Sequence, residues 1–248
     1  MRIIRADLHI HSCLSPCAEL EMSPQAIVRT SIGKGIDMIA VCDHNSAENA
    51  QAVMEVARGT DLAVLPGMEM TSREEVHIVG LFARVIDALR VQTLVYEHLE
   101  GENDESVFGQ QLVVGPDGSV DACNPRLLIG ATDLPIEAIV QAVHEQDGLA
   151  VAAHIDREGF GIIGQLGFIP VELELDALEV SSNVALNEAV LKYGDYQDYP
   201  FISSSDAHAL EAIGSAATPF TMESACFNEL RLALRGEQGR SVCYENRG

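Results

Sequence analysis

The stretch Met38-Ile39-Ala40-Val41-Cys42-Asp43-His44-Asn45 is apolar for five residues and then turns at once to Asp-His-Asn. A short apolar run bounded by polar residues reads as a strand. The polar ending is unfavourable for core packing and suits a functional strand end; helix capping at a strand–helix junction is the plainer alternative. Similar runs lie at 3–10, 62–65, 76–82, 149–153, 177–180, 201–204 and 217–221, with helix-like segments between them. One helix opens at Ser23-Pro24, where Ser caps and Pro suits the first turn, and stops near Gly33 and Gly35. Another opens at Ser46, where Glu48 favours the helix dipole. Others are expected over 85–99, 135–146, 183–192 and 223–234.

Such alternation points to an α/β architecture with parallel strands, either a closed barrel or an open doubly wound sheet. Neither G-x-G-x-x-G nor G-x-x-x-x-G-K-[ST] occurs, which removes the usual nucleotide loops of the open sheet. The polar residues cluster where the apolar runs end, and in a barrel that rim carries the chemistry. The reading is one barrel domain over 1–248, interrupted at 100–132. That segment holds an acidic patch (Glu100, Glu102, Asp104, Glu105), then a hairpin of 111–114 and 119–122 around Gly115-Pro116-Asp117-Gly118. It is too short to bury a core alone, and serves as a lid or as a solvated excursion.

The bulk properties narrow the class. With 47% hydrophobic residues over 248 positions the chain can bury a sizeable core. No apolar stretch approaches the ~20 residues of a membrane span. The start, Met1-Arg2-Ile3-Ile4-Arg5-Ala6-Asp7, lacks the uninterrupted apolar segment of a secretory signal, so a cytoplasmic location is expected. The six cysteines show no paired framework and are expected to be free, including Cys13 and Cys17. A formal charge of −23 opposes binding to long nucleic acids and, with no Trp and only five Tyr, points to a small phosphorylated substrate.

The chemistry rests on five clusters. In Asp7-Leu8-His9-Ile10-His11, residues i and i+2 of a strand share a face, so His9 and His11 aim at one point and suit a zinc, manganese or iron ion. His44 ends the second run, where Asp43 could orient a neighbouring imidazole or move a proton. Glu69 follows the third, where a carboxylate could bridge two ions, and His77 sits within the apolar alternation 76–80. His154, followed by Asp156 and Arg157, closes the fourth. Asp206-x-His208 repeats the i, i+2 logic in the fifth. Of eight histidines, only His98 and His144 fall in helical segments, where a surface role is expected. A polynuclear metal centre is the economical reading.

This ordered set, D-L-H-I-H, the apolar run to D-H-N, then Glu69, His77, His154 and D-A-H, resembles the PHP (polymerase and histidinol phosphatase) superfamily from Asp7 to His208. The resemblance implies a distorted (β/α)7 TIM-like barrel with two or three divalent ions at the strand ends, hydrolysing phosphoesters. By motif, His9, His11, Glu69 and Asp206 would hold one ion. Glu69 would bridge to a second at His77 and His154, and His44 and His208 would complete a third site or the outer ligands. The family commonly continues the first motif to an Asp ligand, where this chain has Pro16. Glu19 is the expected substitute, with Cys17 the alternative as a zinc-favouring thiolate.

The expected function is therefore a metal-dependent phosphoesterase acting on a small nucleotide or sugar or amino-alcohol phosphate, with metal-activated water as the nucleophile. Arg157 and Arg73 are candidates to grip phosphate oxygens, with surface ion pairs as the alternative; Asp43 and Asp156 are unranked candidates for proton transfer. Two other readings stand beside this one. An amidohydrolase-like enzyme would need a lysine at a middle strand end, and neither Lys34 nor Lys192 is near one. A non-catalytic metal-binding or regulatory domain of the same superfamily would have lost ligands that are present here.

Overall fold

The computed structural model describes residues 1–244. Its strands are β1 (Arg2–Ile10), β2 (Met38–Val41), β3 (Ala63–Thr71), β4 (His77–Leu81), β5 (Leu112–Val114), β6 (Val120–Cys123), β7 (Leu149–Ala152), β8 (Ala177–Val180), β9 (Phe201–Ser203), β10 (Thr218–Met222) and β11 (Ser241–Val242). The helices are α1 (Pro24–Gly33), α2 (Ala50–Val56), α3 (Val85–Glu97), α4 (Glu105–Phe108), α5 (Ile136–Glu145), α6 (Ile162–Leu166), α7 (Leu186–Lys192) and α8 (Phe227–Leu234). Nine strands form one sheet in the order β11-β10-β1-β2-β3-β4-β7-β8-β9. Its far edge curls back: Ala207 bridges Ile10, Ser204 bridges Ala217, and the Ser203 N–H donates to Thr218 Oγ1. The result is the nearly closed α/β barrel that the sequence implies.

Barrel packing follows from alternation along the strands. Ile4, Ala6 and Leu8 of β1 join Met38, Ala40, Val79, Val151, Ile202 and Phe220 in one apolar cluster, against which α8 packs Phe227 and Leu230. Ile10, Ile39 and Val41 join Ile27 and Val28 of α1 in another. The β1–β2 register shifts between Asp7 and Ile10, an irregularity that spans His9, the first of the ligand pair. Helix α5 buries Ile136, Ile139, Val140 and Val143, the i, i+3, i+4, i+7 stripe of an amphipathic helix. Helix α1 starts as expected, with Ser23 Oγ accepting from the Ala26 N–H and Pro24 in its first turn. Helix α2 starts at Ala50 instead of Ser46 because Ser46 and Asn49 are engaged elsewhere: Ser46 with Tyr96 and Gln92, and Asn49 with Leu112 and Val114.

The sheet is mixed where the sequence suggests parallel strands. β4 is antiparallel to both β3 and β7, and β10 is antiparallel to β1. Residues 72–76 are too few for a crossover helix, so β3 must turn back on itself as a hairpin. β3 also runs on past residue 65 to Thr71. Gly67 permits this: a Cβ there would meet Cys42 Sγ at 2.6 Å and the Val41 and Gly80 carbonyls at 3.1 Å.

The 100–132 segment contains the expected hairpin, β5 paired with β6, and is fastened to the barrel. The Leu112 N–H donates to Cys13 O, Asn45 Nδ2 donates to Leu128 O and Gly130 O, and the Thr132 N–H donates to Thr71 O. Among the described residues no helix is long and apolar enough to cross a membrane.

Candidate metal centre

The C-terminal ends of β1, β2, β3 and β7, the start of the reversed strand β4 and the turn after β9 bring their polar residues to one rim. His9, His11, His44, Glu69, His77 and His154 are buried there, with Asp206 and His208 half-buried. Glu69 is the hub. Its Oε1 lies 2.7 Å from His77 Nδ1, 3.2 Å from His154 Nε2 and 3.4 Å from His9 Nε2, and its Oε2 lies 3.0 Å from His44 Nδ1 and 3.4 Å from His11 Nε2. Asp206 Oδ1 lies 3.1 Å from His11 Nε2 and 3.5 Å from His9 Nε2.

These donors fit divalent ions. His9, His11, Glu69 and Asp206 form one group, His44, Glu69 and His77 a second, and His11, His44 and His208 a third, each with its ligand atoms within 4.8 Å of one another. His44 Nδ1, His77 Nδ1 and Glu69 Oε2 are buried without a hydrogen-bond partner despite their proximity, as expected of atoms that face a cation. Around His9 and His11 the hydrogen bonds fix the tautomers. His9 Nδ1 faces Glu179 Oε1 at 2.9 Å, and His11 Nδ1 faces Ser15 Oγ at 2.9 Å, whose own proton goes to Asp43 Oδ1. Both Nδ1 atoms are therefore donors, and the two Nε2 lone pairs meet head-on at 3.2 Å, which only a proton or a metal between them relieves.

The electrostatics agree. Burial works against charge on His9, but Glu179, Glu69 and Asp206 outweigh it and hold its pKa well above the usual imidazole range. His44, raised to about 10 by Glu69 against the same burial, behaves alike, while burial keeps His11 well below the usual range. Burial would raise Glu69, yet His77, His9 and His44 bring it well below the usual carboxylate range. Protons on His9 and His44 thus offset the carboxylates where ions would do so, and ions bound there would displace them.

The grouping differs from the motif-based assignment: His44 joins His77 and Glu69 in the second cluster, His11 joins the third, and His154 belongs to none of the three although its Nε2 lies 3.2 Å from Glu69 Oε1. Glu19, the expected substitute for the Asp ligand, is exposed and belongs to none of the three groups; only its backbone N–H, donating to His208 O, touches the site. Cys17, also exposed and also outside the three groups, neighbours His44 and His208. Burial raises its pKa, but those two imidazoles prevail and bring the thiol down to about 7. In metal-stripped protein at pH 7.5 Cys17 should therefore react with iodoacetamide well ahead of buried Cys13, pushed up to about 12 by burial, and metal should slow it. Peptide mapping of the alkylated protein reads this, and equal labelling with and without metal would contradict it.

Asp43 and Asp156, the proton-transfer candidates, are both spent on local structure. Asp43 accepts from the Ser12 N–H, Ser12 Oγ and Ser15 Oγ, and Asp156 accepts from the Ser181 N–H and Oγ. Arg157 does reach the site, donating through Nη1 to Asp206 Oδ2 at 2.6 Å. Arg73 pairs with Glu74 and does not line the cavity. His98 and His144 pair with Asp133 and Asp176, away from the centre. All six cysteines are free.

Glu179, whose Oε1 faces His9 Nδ1 at 2.9 Å, is the site neighbour that the sequence does not point to, hidden in the apolar strand β8 at 1% exposure. A carboxylate so deeply buried among apolar neighbours is itself the signal. Replacing it with Gln should weaken metal binding by about 10–100-fold, the usual effect of losing a group that orients a ligand imidazole. Metal-buffer titration measures this, and unchanged affinity would contradict the role.

Comparison with known proteins places this geometry. A PHP domain model matches residues 7–160, and a PHP-associated model matches residues 185–238. The uncharacterized protein YqxK of Bacillus subtilis (strain 168) is 25% identical over 258 residues, covering 98% of this chain and 64% of its own length. The lesion-specific endonuclease PfuEndoQ of Pyrococcus furiosus superposes with a TM-score of 0.74 at 18% identity, over 97% of this chain and 58% of its own. Endonuclease Q in complex with a 27-mer duplex substrate, with an abasic lesion at the active site, gives 0.72 at 18% identity over the same shares. The chain thus spans less than two thirds of the length of these relatives.

One expectation is overturned here. The negative charge was expected to restrict the partner to a small phosphorylated substrate and to exclude long nucleic acid. The same fold, however, carries a 27-mer duplex substrate in endonuclease Q. Net charge sums the whole surface, whereas the cavity at the centre is walled by His44, His77, His154, His208 and Arg157 beside only Glu69 and Asp206.

Proposed function

The chain belongs to the PHP domain family of metal-dependent hydrolases, and on that premise we propose that it is a phosphoesterase acting on a nucleotide-bearing phosphate ester, free or within a nucleic-acid strand. The observation that carries this reading is Glu69, one buried carboxylate whose two oxygens each face imidazoles of adjoining donor groups. The three groups offer places for two or three zinc, manganese or iron ions. Bound there, such ions supply Lewis-acid charge for the phosphoryl group and activate water for attack.

The protein's own residues do the rest. Glu179 and Ser15 hold His9 and His11 in the tautomers that leave both Nε2 atoms open to the centre. Asp43 pins the Ser12–Ser15 turn beneath His11, and Asp156 pins Ser181 beside β8. Arg157 lines the cavity with a guanidinium anchored on Asp206, and its remaining N–H groups are free to fork onto phosphate oxygens. The amidohydrolase alternative loses ground, since Lys34 is engaged with the carbonyls of Leu210, Glu211 and Ile213 and Lys192 lies over Tyr193.

Metal-loaded protein assayed on a short oligonucleotide, a dinucleotide, an aryl phosphate and an N-acyl amide tests the reading. Turnover of phosphoesters and not of the amide is expected, and the reverse would refute it.

A further inference from the structure

The cavity over the metal centre, about 420 Å³, is lined by His44, Glu69, His77, Ile129, His154, Arg157, Gly159, Phe160, Asp206 and His208. That size falls within the range of small-ligand sites. Its two large apolar members need an explanation. The Phe160 ring stacks on the His77 imidazole with centroids 4.4 Å apart and planes inclined by 20°. Its carbonyl accepts the His77 N–H at 2.9 Å. The backbone there is left-handed, φ 61°, a conformation that bulky side chains rarely adopt. Yet 42% of the residue stays exposed. Support of His77 accounts for the covered face but not for an aromatic ring held open in the wall. Ile129, brought there by the fastened 100–132 segment, adds the second apolar surface.

We propose that Phe160, with Ile129, is the platform for the nucleobase adjoining the phosphate that is cut, an inference that rests on the phosphoesterase reading. Every base has a flat π face, so stacking on an aromatic ring binds nucleotides with little regard to sequence. Arg157 lines the same cavity, so one ligand spans the two elements, its phosphate toward Arg157 and the metal donors and its base on Phe160. A substrate lacking a base engages only the first.

The chain has no tryptophan, so Phe160→Trp installs a single fluorescent reporter on the platform. Metal-loaded F160W is titrated with adenosine 5′-monophosphate and, separately, with ribose 5-phosphate. Saturable quenching by the nucleotide alone is expected. In parallel, Phe160→Leu should raise KM for a dinucleotide about tenfold more than it alters hydrolysis of ribose 5-phosphate, and Phe160→Tyr should restore the dinucleotide KM. Equal quenching by both ligands, quenching by neither, or an equal loss on base-bearing and base-free substrates would overturn the proposal. Failure to turn over any phosphoester would instead refute the phosphoesterase reading, while the fluorescence titration would still decide whether the platform binds a base.

Discussion

Replacing Glu69 with Gln lowers hydrolysis by about 10³-fold or more and strips metal from the protein while leaving its far-ultraviolet circular dichroism intact. The substitution is nearly isosteric and sits at 1% exposure, so packing is preserved. What it removes is the one negative charge that faces His9, His11, His44, His77 and His154 at 3.4 Å or less. Two of the three donor groups lose their shared anion at once, and an amide oxygen is a far weaker partner for a divalent ion. The measurement pairs kcat with metal content by mass spectrometry. Near-normal turnover with full metal content would show that Glu69 is not needed to hold the metal.

The second large effect is expected at Asp206, where Asn should reduce kcat by about 10²–10³-fold. Asp206 has two duties on its two oxygens: Oδ1 faces His11 and His9, and Oδ2 accepts from Arg157. Its carboxyl is held below the usual range because, although burial opposes ionisation, His9 and His11 stabilise the charge. Asn weakens the ion-facing oxygen and also frees Arg157. The effects of D206N and R157A should therefore be non-additive in a double-mutant cycle. Strict additivity would separate Arg157 from the centre.

Much of this site is legible in the sequence because its ligands obey strand geometry. His9 and His11 sit two residues apart at the end of β1, and His44 and His154 follow apolar runs that had to be strands. Strand direction is not written in a period-2 pattern. His77 begins an antiparallel strand, where alternation alone suggested a parallel one, and only the shortness of 72–76 hints at the reversal. Glu179 was hidden because β8 is otherwise apolar, and partners 170 residues apart in the chain leave no local trace. At the Pro16 departure, residue type favours Glu19, but the turn leaves Glu19 and Cys17 both exposed and outside the donor groups, and only the Cys17 thiol is lowered by His44 and His208. Total charge misled most, because a surface-wide sum says little about ten residues lining one cavity.

The most direct test is a metal titration with two simultaneous readouts. Protein stripped by a chelator is reloaded stepwise with manganese or zinc while bound metal and hydrolysis of a dinucleotide phosphodiester are followed together. The stripped protein is expected to show no turnover, and the rate to climb as the donor groups around Glu69 fill. Hydrolysis that persists without metal, or a fully loaded protein that cuts no phosphoester, would contradict this expectation.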